Sequence, residues 1–299
     1  MNIIILGANG QLGHSMKAMA QQEKNSLNLF PLSREQCDIT CPHKIRSRLV
    51  SLKEDNSCRV VINAAAWTNV DKAEEYPEEA QKVNGEGAGN IAKIAAELEM
   101  PIIHISTDYV FNGKKNAPYT EEDKVNPISV YGTSKEAGEQ AVRKYAPHHI
   151  ILRTSWLFSA YGRNFLKTMV SLAEQKNTLK IVSDQIGTPT YAGNLSATIK
   201  AIAVQAEQNN FNGWGTYHYA DSPVASWYDL ALYIMDELKR RGLKTPHEIV
   251  PITSQEYPTA AQRPAYSALS CKKIKDVFGV SQGSWKDGVS KALDNLLGR

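Results

Sequence analysis

The chain has 299 residues, 42% hydrophobic and 22% charged, with a formal net charge of +3. That is ample for one large domain or a main domain with a smaller companion, and too little scattered positive charge for a nucleic-acid surface. No run reaches membrane-spanning length and the N-terminus lacks the basic start and unbroken apolar stretch of a signal peptide, so a cytoplasmic protein without membrane or nucleic-acid partners is expected.

Asn2 to Leu6 reads as a buried strand, and Gly7, Gly10 and Gly13 follow it three apart in the turn Gly7-Ala8-Asn9-Gly10-Gln11-Leu12-Gly13. Glycines at this spacing allow a tight turn, let a pyrophosphate approach the backbone N–H groups, and pack the next helix close to the sheet. The helix N-terminus adds a field that favours phosphate. The turn therefore points to a dinucleotide, with Asn9, Gln11 and Leu12 beside it. Leu27 to Leu32 reads as the second strand, and Ser33 and Arg34 stand at its end, where such folds choose their ribose partner. Arg34 could pair with a 2′-phosphate, which predicts a preference for NADPH with NADH as the weaker cofactor, although a plain surface arginine would look the same. Asp38 and Ile39 are an adenine-side pair, or Asp38 caps the helix starting near Pro42.

Val60 to Ala66 is expected to be a strand whose alanines, Ala64, Ala65 and Ala66, let backbone lie against a cofactor. The segment from Asp71 to Asn90 turns from polar to helical. Ile91, Ile94, Ala95 and Leu98 keep helical spacing to Met100, where Pro101 stops the helix. Strands alternating with helices predict a Rossmann-type, doubly wound α/β fold with a parallel sheet. Ile102 to Ile105 would deliver Ser106, Thr107, Asp108 and Tyr109 at a carboxyl end, where ligands bind in such sheets. Tyr131-Gly132-Thr133-Ser134-Lys135 then opens a helix towards Tyr145 and places Tyr131 and Lys135 one turn apart on one side.

With thirteen tyrosines, about one YxxxK pair arises by chance, and this chain has one. Its position after the glycine turn, the alanine strand and the Ser106-Thr107 strand gives it meaning. Ketone reduction needs a proton donor and a hydrogen bond at the carbonyl oxygen. Tyr131 is the candidate acid, with Lys135 expected to lower its pKa and bind the nicotinamide ribose, and Thr107 to hold the carbonyl oxygen. Cys37, Cys41, Cys58 and Cys271 show no metal-ligand spacing and read as reduced thiols, and no metal is predicted.

The order of these motifs resembles the extended short-chain dehydrogenase/reductase superfamily. GANGQLG from Gly7, NAAAWTNVDKAE from Asn63, STDYVFNG from Ser106 and YGTSKEAGE from Tyr131 resemble the dTDP-4-dehydrorhamnose reductase family more narrowly. RTSWLF from Arg153, NFLKTM from Asn164, VSDQIGTPTY from Val182 and RPAYSAL from Arg263 extend the likeness over nearly the whole chain. The resemblance implies reduction of the 4-keto group of a dTDP-linked 6-deoxy sugar to dTDP-L-rhamnose, used for surface polysaccharide. It implies Thr107, Tyr131 and Lys135 as the catalytic three, and Tyr109 and Trp156, with Asp108, as substrate contacts. Arg263 would meet a diphosphate. Some family members are described as metal-bridged dimers, but Tyr191 to Asn194 offers no carboxylate, which speaks against a metal-dependent dimer, and a monomer or homodimer is expected. An epimerase or dehydratase with retained NAD, and a non-catalytic NADP(H)-binding regulatory subunit, are the other readings.

In the less regular C-terminal third, Tyr217 to Tyr219 reads as a strand, Trp227 to Leu238 as a helix capped by Ser226, and Lys286 to Leu297 as a last helix. Residues 1–150 are assigned to an NADP(H)-binding core, to which the chain returns at about 174–216 and 262–274. The stretches 151–173, 217–261 and 275–299 are assigned to a smaller substrate-binding lobe.

Overall fold

The structure, a computed structural model, describes residues 1–23, 27–56, 58–208 and 210–298, with Asn56 in backbone only. The few remaining positions of the expected division, 24–26, 57, 209 and 299, lie outside the described residues. The first half runs β1 (Asn2–Leu6), α1 (Gln11–Gln22), β2 (Asn28–Leu32), α2 (Pro42–Asn56), β3 (Val60–Asn63), α3 (Val70–Glu75), α4 (Pro77–Gln81), α5 (Ala88–Glu97), β4 (Ile102–Thr107), α6 (Val130–Tyr145) and β5 (His149–Thr154). A π-helical turn, Lys82–Gly87, joins α4 to α5. There follow β6 (Leu157–Phe158), α7 (Phe165–Gln175), β7 (Thr178–Val182), β8 (Ile186–Gly187), β9 (Thr190–Tyr191), α8 (Ala192–Ala206), β10 (Gly215–His218), β11 (Ala225–Ser226), α9 (Trp227–Arg240), β12 (Glu248–Ile252), α10 (Lys272–Phe278) and α11 (Trp285–Leu297).

Among the described residues, six strands form one parallel sheet in the order β2-β1-β3-β4-β5-β10. Its inner strands are apolar on both faces because both are covered. Ile3, Ile5, Val60, Ile62, Ile103 and Leu152 point to a core closed by α1, α8 and α10. Ile4, Leu6, Val61, Ile102 and Ile151 point to the other, closed by α2, α5 and α6. Each fully buried side chain of this size stabilises the fold by roughly 1.5–3 kcal/mol. Pro31 lies in β2, an edge strand, where the missing N–H is tolerated. Because β2 and β3 leave β1 on opposite sides, a crevice opens above the ends of β1 and β3.

A separate core gathers Phe158, Leu166, Met169, Leu179, Ile181, Leu230, Ile234, Trp285 and Val289 around α7, α9 and α11. Local signals set these helices: Asn164 and Ser284 cap α7 and α11, and Ser226 with Asp229 forms a capping box on α9. Leu179 and Ile181 belong to this smaller core, whereas Tyr217, Ile274 and Phe278 belong to the sheet's core. β7 therefore packs with the smaller core, and β10 and α10, which the expected limits at about 216 and 274 would each cut in two, pack against the sheet.

Several expected boundaries also shift. β3 ends at Asn63, so Ala64 to Ala66 form a loop and not strand; the Asn63 side chain accepts the Ala65 N–H there. β4 runs on to Thr107. The helix expected up to Met100 ends at Glu97: Glu99 takes the left-handed conformation at φ 54° and the Met100 N–H donates back to the Ala95 carbonyl at 2.8 Å, a C-terminal turn that closes the helix before Pro101. Asp38 does not cap α2; its carboxylate is used by the Thr40 N–H and hydroxyl.

Candidate active site

A cavity of about 820 Å³ runs along the carboxyl ends of β1, β3 and β4 and reaches the smaller core at Trp156 and Trp227. Its floor is the glycine turn. Gly7 sits at φ 87°, and a Cβ there would lie 2.6 Å from the Ala65 nitrogen; one on Gly13 would lie 2.6 Å from the Ala8 backbone. Both positions therefore need glycine, and the crevice they leave, lined by Gly7, Asn9, Gly10, Gln11, Leu12 and Gly13, has the close backbone approach that a pyrophosphate requires. Ala64, Ala65 and Ala66 line the facing wall.

At the end beyond β2, Arg34, Asp38 and Ile39 line the cavity. Arg34 is exposed and its Nε lies 3.7 Å from Asp38, an i,i+4 pair that leaves most of its donors for a phosphate. Ser33 does not line the cavity: its hydroxyl donates to Glu35 at 2.5 Å, and its N–H to Gln36. Glu35 takes a place on the wall instead. Its signal was present in the sequence as the acidic neighbour of Arg34.

The opposite end gathers Thr107, Asp108, Tyr109, Tyr131, Lys135, Trp156 and Arg263. Ser129 caps α6 by accepting the Gly132 N–H, which starts the helix where Tyr131 and Lys135 both face inward. Gly132 and Gly138 let α6 come close: a Cβ on either would lie 2.2 Å from the carbonyl oxygens of Tyr109 and Asn84. The Thr107 hydroxyl accepts the Tyr109 N–H at 3.1 Å, donates to Asp108 Oδ1 at 3.0 Å, and faces the Tyr131 phenol. The rings of Tyr109 and Tyr131 meet edge-on at 5.9 Å.

The electrostatics correct one expectation. Tyr131 is half-buried, and desolvation pushes its phenol up to about 12, only partly offset by Thr107. Lys135 does not lower it within the chain alone, because its Nζ donates to the Ile105 carbonyl at 2.6 Å and burial brings its own pKa down to about 8. Burial likewise raises Asp108 to about 7, against hydrogen bonds from Ser267 and Thr107 that favour its charged form.

One turn beyond Lys135, Glu139 is fully buried and accepts from Ser106 Oγ (2.6 Å), Arg153 Nε (2.9 Å), Arg153 Nη2 (2.7 Å) and Arg143 (2.5 Å). This network ties α6, β4 and β5 together directly under the catalytic wall, and Glu139 favours the charged form of Lys135. Asn84, in the π-helical turn, bonds both the N–H and carbonyl of Trp67 and the Ser134 hydroxyl. Such turns often mark functional sites, and the glycine-rich Asn84 to Gly89 inside a helical pattern was its signal. Glu139 and Asn84 were not singled out from the sequence.

Trp156 holds φ 46° and stacks on Trp227 at 3.6 Å, with Gly187 leaving room for its ring. A left-handed tryptophan is strained, and it aims the ring into the cavity. Arg263 also reaches the cavity, but its fork is engaged by Asp71, at 3.1 Å and 2.7 Å. Only its remaining N–H groups are open to a diphosphate. Among the described residues, no group of three His, Cys, Asp or Glu stands close enough to hold a metal ion.

A glycine cradle for a dinucleotide, beside a threonine, a tyrosine and a lysine on adjoining elements, defines a nicotinamide-dependent reductase of the extended short-chain class. Residues 1–297 match the family model described as the RmlD substrate binding domain. The dTDP-4-dehydrorhamnose reductase of Sinorhizobium fredii is 40% identical, with 99% of this chain and 98% of that protein covered. Among solved structures, the Clostridium acetobutylicum dTDP-4-dehydrorhamnose reductase superposes with a TM-score of 0.89 at 35% identity, covering 99% of this chain and 100% of its own. The Bacillus anthracis enzyme, in complex with NADP, gives 0.87 at 32% identity, covering 98% and 99%. The chain belongs to the dTDP-4-dehydrorhamnose reductase family, whose members are NADPH-dependent oxidoreductases.

Proposed function

We propose that this cavity reduces the 4-keto group of dTDP-4-dehydro-6-deoxy-L-mannose to dTDP-L-rhamnose. The convergence of Thr107, Tyr131 and Lys135 at one wall of the cavity that the glycine turn floors carries this reading. NADPH, when bound, supplies the hydride. Tyr131, a phenol throughout the neutral range, gives its proton to the developing alkoxide. Thr107 places a hydrogen bond on the same oxygen. In the absence of substrate its hydrogen goes to Asp108, and an Asp108 that keeps its own proton near neutral pH can return that bond and release the Thr107 hydrogen. Lys135 holds the nicotinamide ribose, and Glu139 supports its charge. Tyr109 and Trp156 shape the sugar end, and Arg263, oriented by Asp71, meets the substrate diphosphate.

We divide the chain into a cofactor-binding core built on the six-stranded sheet and a substrate lobe built on α7, α9 and α11, with a cytoplasmic monomer or homodimer as the working form. The test follows NADPH absorbance with freshly made dTDP-4-keto-6-deoxy-L-mannose. Consumption of one NADPH per sugar reduced is expected; an epimerase or dehydratase would show none, and that outcome would overturn the reading. Arg34→Ala is expected to raise the KM for NADPH about tenfold, the scale of one charge-assisted phosphate contact at an exposed site, while leaving that for NADH nearly unchanged. Equal changes for the two cofactors would remove Arg34 from 2′-phosphate recognition.

A further inference from the structure

Four cations line the cavity: Arg34, Lys135, Arg163 and Arg263. Three are engaged within the chain, Arg34 with Asp38, Lys135 with the Ile105 carbonyl, and Arg263 with Asp71. Among the described residues, Arg163 makes no hydrogen bond or ion pair. An unpaired guanidinium in a cavity that accepts anions is the donor set left over for a ligand.

The segment carrying Arg163 is fixed, and it is fixed to the glycine turn. Gln11, the first residue of α1, donates to the Leu157 carbonyl at 3.2 Å. Its Oε1 accepts from Ser159 Oγ at 3.1 Å and Asn164 Nδ2 at 2.8 Å. Asn164 Nδ2 also donates to the carbonyls of Ser159 and Tyr161, at 2.8 Å and 3.1 Å. The Tyr161 ring stacks on His14 of α1, 5.1 Å between centroids, and a Cβ on Gly162 would lie 3.2 Å from Gln11 Cγ. A loop some 150 positions later in the chain is thus wound onto the helix that follows the glycine turn, with backbone held on both sides of Arg163. Only the arginine side chain itself has freedom to lose on binding.

We propose that Arg163 is a diphosphate clamp, presented to the dinucleotide by the loop that is wound onto the start of α1 beside the glycine turn. The inference rests on the dinucleotide reading of the cavity. Its diphosphate chemistry is shared by the sugar nucleotide, but the attachment of the loop to Gln11 and His14, and not to the Tyr131 end, favours the cofactor. The side chain is exposed, so the contact is partly screened and adds to a site that the backbone already forms.

The test titrates NADPH, NADH and dTDP separately into the wild-type protein, Arg163→Ala and Arg163→Lys, following intrinsic fluorescence at low and high salt. Arg163→Ala is expected to raise the Kd for NADPH and for NADH by the same factor, about tenfold, because both carry the diphosphate. Arg163→Lys should fall between, and the salt dependence of cofactor affinity should weaken in the alanine variant. The affinity for dTDP should not change, nor should the melting temperature, since no internal bond uses this side chain. Unchanged cofactor affinity would overturn the proposal. So would a loss confined to dTDP, which would assign Arg163 to the substrate, or one confined to NADPH, which would assign it to the 2′-phosphate. A wild-type protein that binds neither cofactor would overturn the dinucleotide reading itself.

Discussion

Tyr131→Phe is expected to lower kcat by about 10²–10⁴-fold while leaving the Kd for NADPH nearly unchanged. The substitution removes one oxygen and keeps the ring that meets Tyr109 edge-on, so the wall of the cavity survives. What is lost is the proton donor. Desolvation holds the phenol at about 12, which means that the acid is in its protonated form at every pH at which the protein would be assayed. Stopped-flow measurement of NADPH oxidation with a saturating keto sugar reads the loss directly. Retention of most of the turnover would exclude Tyr131 as the acid and leave Thr107, Asp108 and Tyr109, which line the same end of the cavity, to be tested in turn.

Glu139→Ala is expected to destabilise the fold by about 3–5 kcal/mol, because it leaves Arg153 buried without its counter-charge. Arg143, which is partly exposed, can turn to water; Arg153 cannot. Urea unfolding monitored by circular dichroism checks this, and a loss below about 1 kcal/mol would show that water or His218 compensates. Replacing both partners by apolar residues should recover much of the loss, since an ion pair of this kind is harmful to break but not needed for stability. The pH dependence has a definite sign. Burial would raise the Glu139 pKa, but the bonds to Arg153 and Ser106 and the two guanidinium charges bring it down to about 2 from 4.5. A carboxylate depressed in the folded state contributes fully above its unfolded pKa, so this stability is present above about pH 4.5 and lost as the pH falls towards 2.

The two predictions differ in how far the sequence foretold them. Tyr131 and Lys135 are close in the chain, and a helix must put residues four apart on one side, so their pairing follows from spacing. The glycine turn is similar: Gly7, Gly10 and Gly13 have meaning only between a strand and a helix, and both flanking elements are written in local apolar pattern. Buried strands, the caps of α7, α9 and α11, and the alternation that defines a covered parallel sheet are equally local. Even the side of the sheet on which ligands bind follows from strand direction.

What the sequence could not determine depends on residues far apart in the chain whose energies are set by burial. Glu139 and Arg153 read as ordinary surface charges until β5 is laid against α6, when desolvation makes each necessary to the other. Arg263 reads as a free arginine until the chain is folded back over the 192 positions that separate it from Asp71, when most of its fork is engaged. The direction of the Tyr131 shift departs from the expectation for the same reason. A neighbouring ammonium can be inferred from spacing, but the loss of water that outweighs it exists only once the cavity wall is packed. The sequence by itself determined the fold class and the cofactor turn, and named Thr107, Tyr131 and Lys135 as candidates, because strand ends, glycine spacing and helical spacing are local patterns. The tertiary structure alone decided which charges are buried and which donors are already engaged, because each of these depends on what the rest of the chain brings within a few ångströms.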